Sequence, residues 1–327
     1  MELILDIEDA KIDTIIKNLE EGRKHRPIDY KKNITHYWGH HLSKICIERV
    51  GEGKIRVMGE SGFYFPGMTY FGADYINTIY KRFCLMHDIG GSQFDLSIPQ
   101  HKNKFGYKIK GKWISIDFLR SIYSARKIIT ESERKGEKIP ESSRILEIGS
   151  GTGIQALVFK LLFKKSTYFL VDFPETLALA SVFLNLVLPD CKILYFNEWM
   201  EKPDLLTSTE YDFVLIPNYA MAHVPRNSIH LALNTVSMQE MNYETINMYF
   251  KELRRVLTAP SLFYQSNRDK MMEGILIEIS KYPYNENDTH IYKSVDEFLK
   301  RTIVIRKCFG RFPLLRKIRI PIVKKGA

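Results

Sequence analysis

The stretch RILEIGSGTG, Arg144–Gly153, carries an acid, Glu147, followed by glycines at 149, 151 and 153. An apolar run leads into it and a helical pattern leads out, so the loop joins a strand end to a helix start. In an open α/β sheet, ligands bind in that crevice, and glycines there let the backbone turn tightly and approach a ligand. A dinucleotide fingerprint would read G-x-G-x-x-G, but position 154 is Ile and the third glycine comes one residue early. The leading acid would also repel a pyrophosphate seated on the helix N-terminus. Acid plus G-x-G-x-G therefore suits a nucleoside whose attached group is cationic. A second acid, Asp172, ends the next apolar run, 19 residues past Gly153. A carboxylate at that strand end can accept hydrogen bonds from both ribose hydroxyls.

S-adenosylmethionine meets this description: it carries an ammonium and a sulfonium and no phosphate. EIGSGTG followed by a strand-end acid resembles the class I S-adenosylmethionine-dependent methyltransferases. LVDFPETLALASVFL (Leu170–Leu184), LALNTVSMQEM (Leu231–Met241) and LFYQSNR (Leu262–Arg268) are similar to a sugar O-methyltransferase family of bacterial surface-glycan gene clusters. The resemblance covers about Arg144–Arg268. It implies that Glu147, Gly149, Ser150, Gly151 and Gly153 line the methionine end of the cofactor. It also implies that Asp172 holds the ribose and Phe173 lies near the adenine, with Asn234 counted among the cofactor residues. In that family a polar side chain after the third strand reads the adenine edge. Asn197 and Asn218 both qualify, and Asn218 is favoured because the IHLALN…RRVL…SLFYQ block then supplies strands four and five.

Methyl transfer to a hydroxyl is an in-line displacement, so positioning carries much of the rate. A sugar hydroxyl also needs a base within hydrogen-bond reach. His223, in NYAMAHVPRN, ranks first because its ordinary pKa suits neutral pH. Glu240, in NTVSMQEM, ranks second, with Ser237 and Gln239 beside it as acceptor contacts. His36 and Trp38, in HYWGHH, are expected to line a carbohydrate pocket, and FYFPGMTYF could close over it as a lid. His36 and His40 stand at i, i+4, but no H-E-x-x-H is present and no adjacent acid pair falls at a strand end. No metal is expected.

These residues must be held by elements, and the pattern supplies them. Residues 1–25 read as a helix, and 27–115 as irregular and aromatic-rich. ISIDFLRSIYSARKIITESERKG reads as a helix capped by Asp117. From Arg144 onward strands alternate with helices, which implies a doubly wound, mostly parallel α/β sheet of Rossmann-like type. The expected division is an α-helical and irregular N-terminal region over 1–114, a cofactor-binding domain over 115–290 and a basic segment over 291–327.

Net charge is +10, and from Lys300 onward there are ten cations and no acid. The remaining 38 basic residues balance 38 acids, so no basic face is spread over the fold and no nucleic-acid partner is expected. The expected partner is a sugar-containing acceptor, phosphate-bearing or lipid-linked. The basic end is a candidate contact for an anionic membrane surface. The four scattered cysteines, the acidic N-terminus and the absence of a run long enough to cross a bilayer fit a cytoplasmic protein, at the inner face of the membrane if that contact forms. Two other readings stay open: methylation of a nucleic acid or small non-sugar molecule, and a membrane-associated binding module with a vestigial cofactor site.

Overall fold

The computed structural model describes residues 2–28, 30, 34–59, 73–87, 92–296, 299 and 301–308. The expected FYFPGMTYF lid and the basic segment from 309 lie outside these residues.

The chain starts with a strand, not with the single helix expected over 1–25. β1 (Glu2–Asp6) precedes α1 (Asp9–Lys24). The Glu-Leu-Ile-Leu-Asp stretch is short, and its apolar residues find an antiparallel partner far along the chain. After α2 (His36–Leu42), β2 (Cys46–Gly51) and β3 (Lys54–Met58) form a hairpin, and β1 pairs with β3 on the other side. α3 (Ala73–His87) follows. β4 (Tyr107–Ile109) and β5 (Lys112–Ile114) then form a hairpin turned by Lys110 and Gly111 at φ 48° and 83°. Two consecutive left-handed residues make the tight turn whose twist matches the strands. α4 (Ile116–Glu133) is capped by Ser115, whose Oγ accepts from Phe118 N at 3.1 Å. Asp117, expected as the cap, instead sits in the first turn, where an acid favours the helix dipole.

The main sheet is built from β6 (Arg144–Ile148), β7 (Thr167–Asp172), β8 (Ile193–Leu194), β9 (Phe213–Pro217), β10 (Ile229–Thr235), β11 (Leu257–Asn267), β14 (Thr289–Asp296) and β15 (Arg301–Cys308). Their order is β14-β15-β11-β10-β6-β7-β9-β8. All neighbours from β11 to β8 are parallel, and β15 and β14 close one edge antiparallel. This is the doubly wound, mostly parallel sheet the pattern implied. The domain boundary expected at 290 does not hold, because the sheet continues through β15 to Cys308. Between strands run α5 (Ile154–Leu162), α6 (Pro174–Val187), α7 (Phe196–Glu201) and α8 (Tyr243–Val256), and the hairpin β12 (Lys270–Met272)–β13 (Ile275–Ile277) follows β11.

Side chains alternate faces along a strand, and two cores follow. Ile145, Leu170, Leu215 and Leu233 belong to one core, while Leu146, Phe169, Val214 and Ala232 belong to the other. Every residue of α6 is buried, so the longest apolar run of the chain is an internal helix. Pro174 starts it with a preset φ and no backbone donor to lose. The outer side of α6 is covered by α1. Ile12, Ile15 and Leu19 are buried there in the same core, each burial stabilising by roughly 2 kcal/mol. Gly22 lets the end of α1 come close, since a Cβ at that position would lie 3.0 Å from Pro174 Cβ. No helix among the described residues is long and apolar enough to cross a membrane.

Candidate active site

β6 delivers Glu147 and Ile148 to the carboxyl edge of the sheet, between β7 and β10. Gly149 then turns at φ 72°, and a side chain there would collide with that of Ser237. Its N–H donates to Val171 O at 2.8 Å. Gly151, also left-handed, donates its N–H to Asp172 Oδ2 at 2.8 Å, and Phe173 N donates to Asp172 Oδ1 at 2.7 Å. The carboxylate is thereby fixed at the end of β7, facing the loop. Gly153, at φ 78°, opens α5.

The loop forms the floor of a cavity of about 490 Å³. Glu147, Ser150, Asp172 and Phe173 line one half. Ser150 Oγ is buried with no hydrogen-bond partner among the described residues. Glu147 is buried and accepts from Tyr168 OH at 2.9 Å. Burial lifts its pKa well above the usual range; the Tyr168 bond opposes this and the charge of Asp172 adds to it. Burial likewise lifts Asp172 to about 7, against the bonds from Gly151 and Phe173. Neither acid has a cationic partner among the described residues. Two buried, unpaired carboxylates, an unpartnered hydroxyl and open glycine backbone fit a cationic nucleoside.

Asn218 lines the cavity at the end of β9. Its Oδ1 accepts from Tyr30 OH at 3.0 Å. Tyr30 stands edge-on to Phe173, and Trp38 lies 5.9 Å from the same ring. Glu175, just past Asp172, binds Arg23 Nε at 2.8 Å and also Arg26, which stacks over Tyr30. The N-terminal region thus walls this end of the cavity.

A family model described as lysine methyltransferase matches residues 99–253, just under half of the chain. Those residues carry the loop, both acids and Asn218. Over those residues the chain is similar to the methyltransferases of that family. No match is found among curated proteins. Among solved structures the chain is similar to a predicted O-methyltransferase from Agrobacterium tumefaciens, at 13% identity and TM-score 0.27, over 39% of this chain and 55% of that one. It is similar to a SAM-dependent methyltransferase from Aquifex aeolicus, at 14% identity and TM-score 0.33, over 56% and 92%. An O-methyltransferase family 2 protein from Planctomyces limnophilus, solved with apigenin, aligns at 9% identity and TM-score 0.38, over 58% of both chains. This chain thus spans little more than half of the Agrobacterium and Planctomyces proteins.

Of the residues expected in the site, the structure gathers Glu147, Gly149, Ser150, Gly151, Asp172, Phe173, Asn218, Ser237, Gln239, Glu240 and Trp38 around one cavity. Four others are placed elsewhere. The chain after β9 winds into a short 3-10 helix that carries His223 to the surface, its ring 5.4 Å from Trp199. His223 does not line the cavity and is withdrawn as base. Asn234 is fully buried, donating to Ile148 O at 2.9 Å and Ser237 Oγ at 2.7 Å and accepting from Asn267 at 2.8 Å. It pins the end of β10 to β6 and has no surface for the cofactor. His36 is exposed, and its backbone N–H donates to Glu273. Gly153 does not line the cavity, and a Cβ there would lie 3.3 Å from Leu184. Asn197 sits in α7, because β8 is an outer strand and β9 is the one beside β7.

The acceptor half of the cavity, where Glu240 and Gln239 were expected, holds further residues that were not. Asp117, Arg120, Ser121 and Ser124 face it from α4. Their i, i+3, i+4, i+7 spacing is a polar stripe on one face of the first two turns, between the apolar residues Ile116, Phe118, Leu119, Ile122 and Tyr123, a signal the sequence does carry. Arg268 joins them from just past the end of β11, and Arg301 from β15. Glu240, buried, is ion-paired with Lys270 at 2.7 Å, and Lys270 stacks over Tyr37. Among the described residues no group of three or more His, Cys, Asp or Glu could hold a metal.

Proposed function

We propose that this protein transfers a methyl group from S-adenosylmethionine to a hydroxyl of a sugar-type acceptor, with Glu240 receiving the proton. The observation that carries this reading is the position of Glu240: a buried carboxylate in the half of the cavity next to the glycine loop, among side chains suited to hydroxyl groups. Ser121, Ser124 and Gln239 lie around the same space. When bound, S-adenosylmethionine supplies an electrophilic methyl group on a sulfonium. Glu147 and Asp172 would hold the ammonium and ribose, and Phe173 and Asn218 the adenine. Lys270 orients the Glu240 carboxylate. Asp117, the other carboxylate of that half, is about half exposed and bonded to Arg120 at 3.0 Å, which leaves it less suited to a water-excluded proton transfer.

The family description favours a second reading, methylation of a lysine amine. Three arginines around the acceptor half oppose it, because a lysine arrives as a cation and like charges at close range repel. Assays with labelled S-adenosylmethionine separate the two. Glu240→Gln should keep its affinity for S-adenosylhomocysteine and lose about 100-fold in kcat on sugar hydroxyls, the low end of general-base effects. Unchanged turnover removes Glu240 as base. Label found on protein lysines and on no sugar overturns the reading.

A further inference from the structure

The cavity is electrically divided. Glu147 and Asp172 stand at the donor end. At the acceptor end three guanidiniums come from three elements: Arg120 in α4, Arg268 just past the carboxyl end of β11, and Arg301 at the start of β15. Because β11 and β15 are antiparallel, the end of one meets the start of the other, with Asn267 opposite Thr302. Only Arg120 has an acid partner, Asp117. Arg268 and Arg301 form no ion pair among the described residues, although the charge of Asp117 also reaches Arg301. Burial, then the charges of Arg120 and Arg268, push Arg301 down to about 10 against the opposing pull of Tyr264 and Asp117, so it stays charged at neutral pH with its like-charged neighbours close by.

Holding three guanidiniums around a half-buried space is costly unless an anion fills it. Asp117 offsets one of the three and leaves two unmatched. We infer that Arg120, Arg268 and Arg301 form a subsite for a dianionic phosphoryl group on the acceptor. The inference rests on the sugar-hydroxyl reading and narrows it to a phosphorylated sugar. The planar fork of arginine binds two phosphate oxygens at once, and three forks from different directions suit a tetrahedral group better than a planar carboxylate. The phosphoryl group would anchor the acceptor while its hydroxyl reaches Glu240.

The test is calorimetric, on the full chain loaded with S-adenosylhomocysteine. Inorganic phosphate, glucose 1-phosphate, glucuronate and glucose are titrated separately, and a detergent-dispersed polyprenyl phosphate competes for the site. Phosphate should bind, and glucose 1-phosphate should bind at least about tenfold tighter than glucose, the scale of one charged hydrogen bond. Arg301→Gln and Arg268→Gln should each abolish that advantage without changing the affinity for S-adenosylhomocysteine, and Arg301→Lys should keep part of it. Stronger competition by polyprenyl phosphate than by glucose 1-phosphate assigns the phosphoryl group to a lipid-linked source, and weaker competition to a soluble one. Equal binding of glucose and glucose 1-phosphate, or an Arg301→Gln protein that binds both ligands as the parent does, overturns the subsite. Glucuronate binding as tightly as glucose 1-phosphate overturns the phosphoryl assignment. Phosphate bound here while label goes only to amines sinks the hydroxyl reading and leaves the subsite standing. Label on neutral sugars without phosphate binding does the reverse.

Discussion

Asp172 is the residue whose chemistry is most open to measurement. Burial raises its pKa from 3.8 to about 7 in the ligand-free protein. Ribose hydroxyls donate hydrogen bonds, so the bound state favours the ionised carboxylate. A proton must therefore leave when the cofactor binds near or below neutrality. Affinity for S-adenosylhomocysteine should be flat above about pH 7 and fall about tenfold per unit below it. Calorimetry in buffers of different ionisation enthalpy should show the proton released, and an affinity independent of pH between 5 and 8 would contradict the assignment. The sign for stability is the opposite: without ligand, the contribution of Asp172 is present at low pH and is lost as pH rises through about 7. The donor residues were legible in the sequence because they are local: an acid, three glycines and a second acid lie on two adjacent strands. The acceptor residues were not. Arg120 stands 148 residues before Arg268, and Arg301 stands 33 residues after it, on three elements that meet only through sheet order. His223 misled because its residue type suits a base, whereas the 3-10 helix after Pro217 decides where it points.

At the scale of elements, the alternating strands and helices after Arg144 were readable because hydrophobic period separates them. Before Arg144 the reading failed at β1, β2 and β3, which are short and pair antiparallel in a small sheet of their own. The reach of α1 over α6 was equally hidden, since nothing in either helix names its partner. That contact holds the adenine end of the site: Arg23, Arg26 and Tyr30 all follow from where α1 ends. Asn18 supports it, its Oδ1 accepting from Phe196 N at 2.7 Å, and Tyr219 OH donates to Gly22 O at 2.5 Å. Gly22→Val should push α1 away from Pro174, which already lies 3.0 Å from a built Cβ. We expect a loss of about 1–3 kcal/mol, as for other overpacked sites, with weaker binding of S-adenosylhomocysteine. Gly39→Ala in α2 is the control, because nothing lies within 4 Å of a Cβ there and alanine favours a helix by up to about 1 kcal/mol. Urea unfolding and calorimetry would check both. Equal stability of the two variants would mean that α1 and α6 are not held against each other as described.

For the whole molecule, the decisive point is where the fold ends. The strand and helix pattern suggested that the domain stops near 290, and the charge that the remainder is a basic appendage. The structure divides those cations. Arg301 reaches the cavity, Arg306 stacks over Tyr284 at 4.0 Å, and Lys307 pairs with Glu137. Each therefore serves the fold or the site from within β15. That strand also covers the edge of β11 and buries Ile303, Val304 and Ile305. At roughly 2 kcal/mol each, these three side chains contribute about as much as the whole margin of a marginally stable domain. The uncovered β11 would also be left with an open, apolar edge. A chain cut after Asn287 should therefore fail to unfold cooperatively in urea and should aggregate on expression, even though it keeps the glycine loop, Asp172, Asn218 and Glu240. A sharp unfolding transition at the parent's midpoint would show instead that β14 and β15 are accessories. Arg301 would then be free to vary without cost to the fold, and the phosphoryl subsite would have to be built without it.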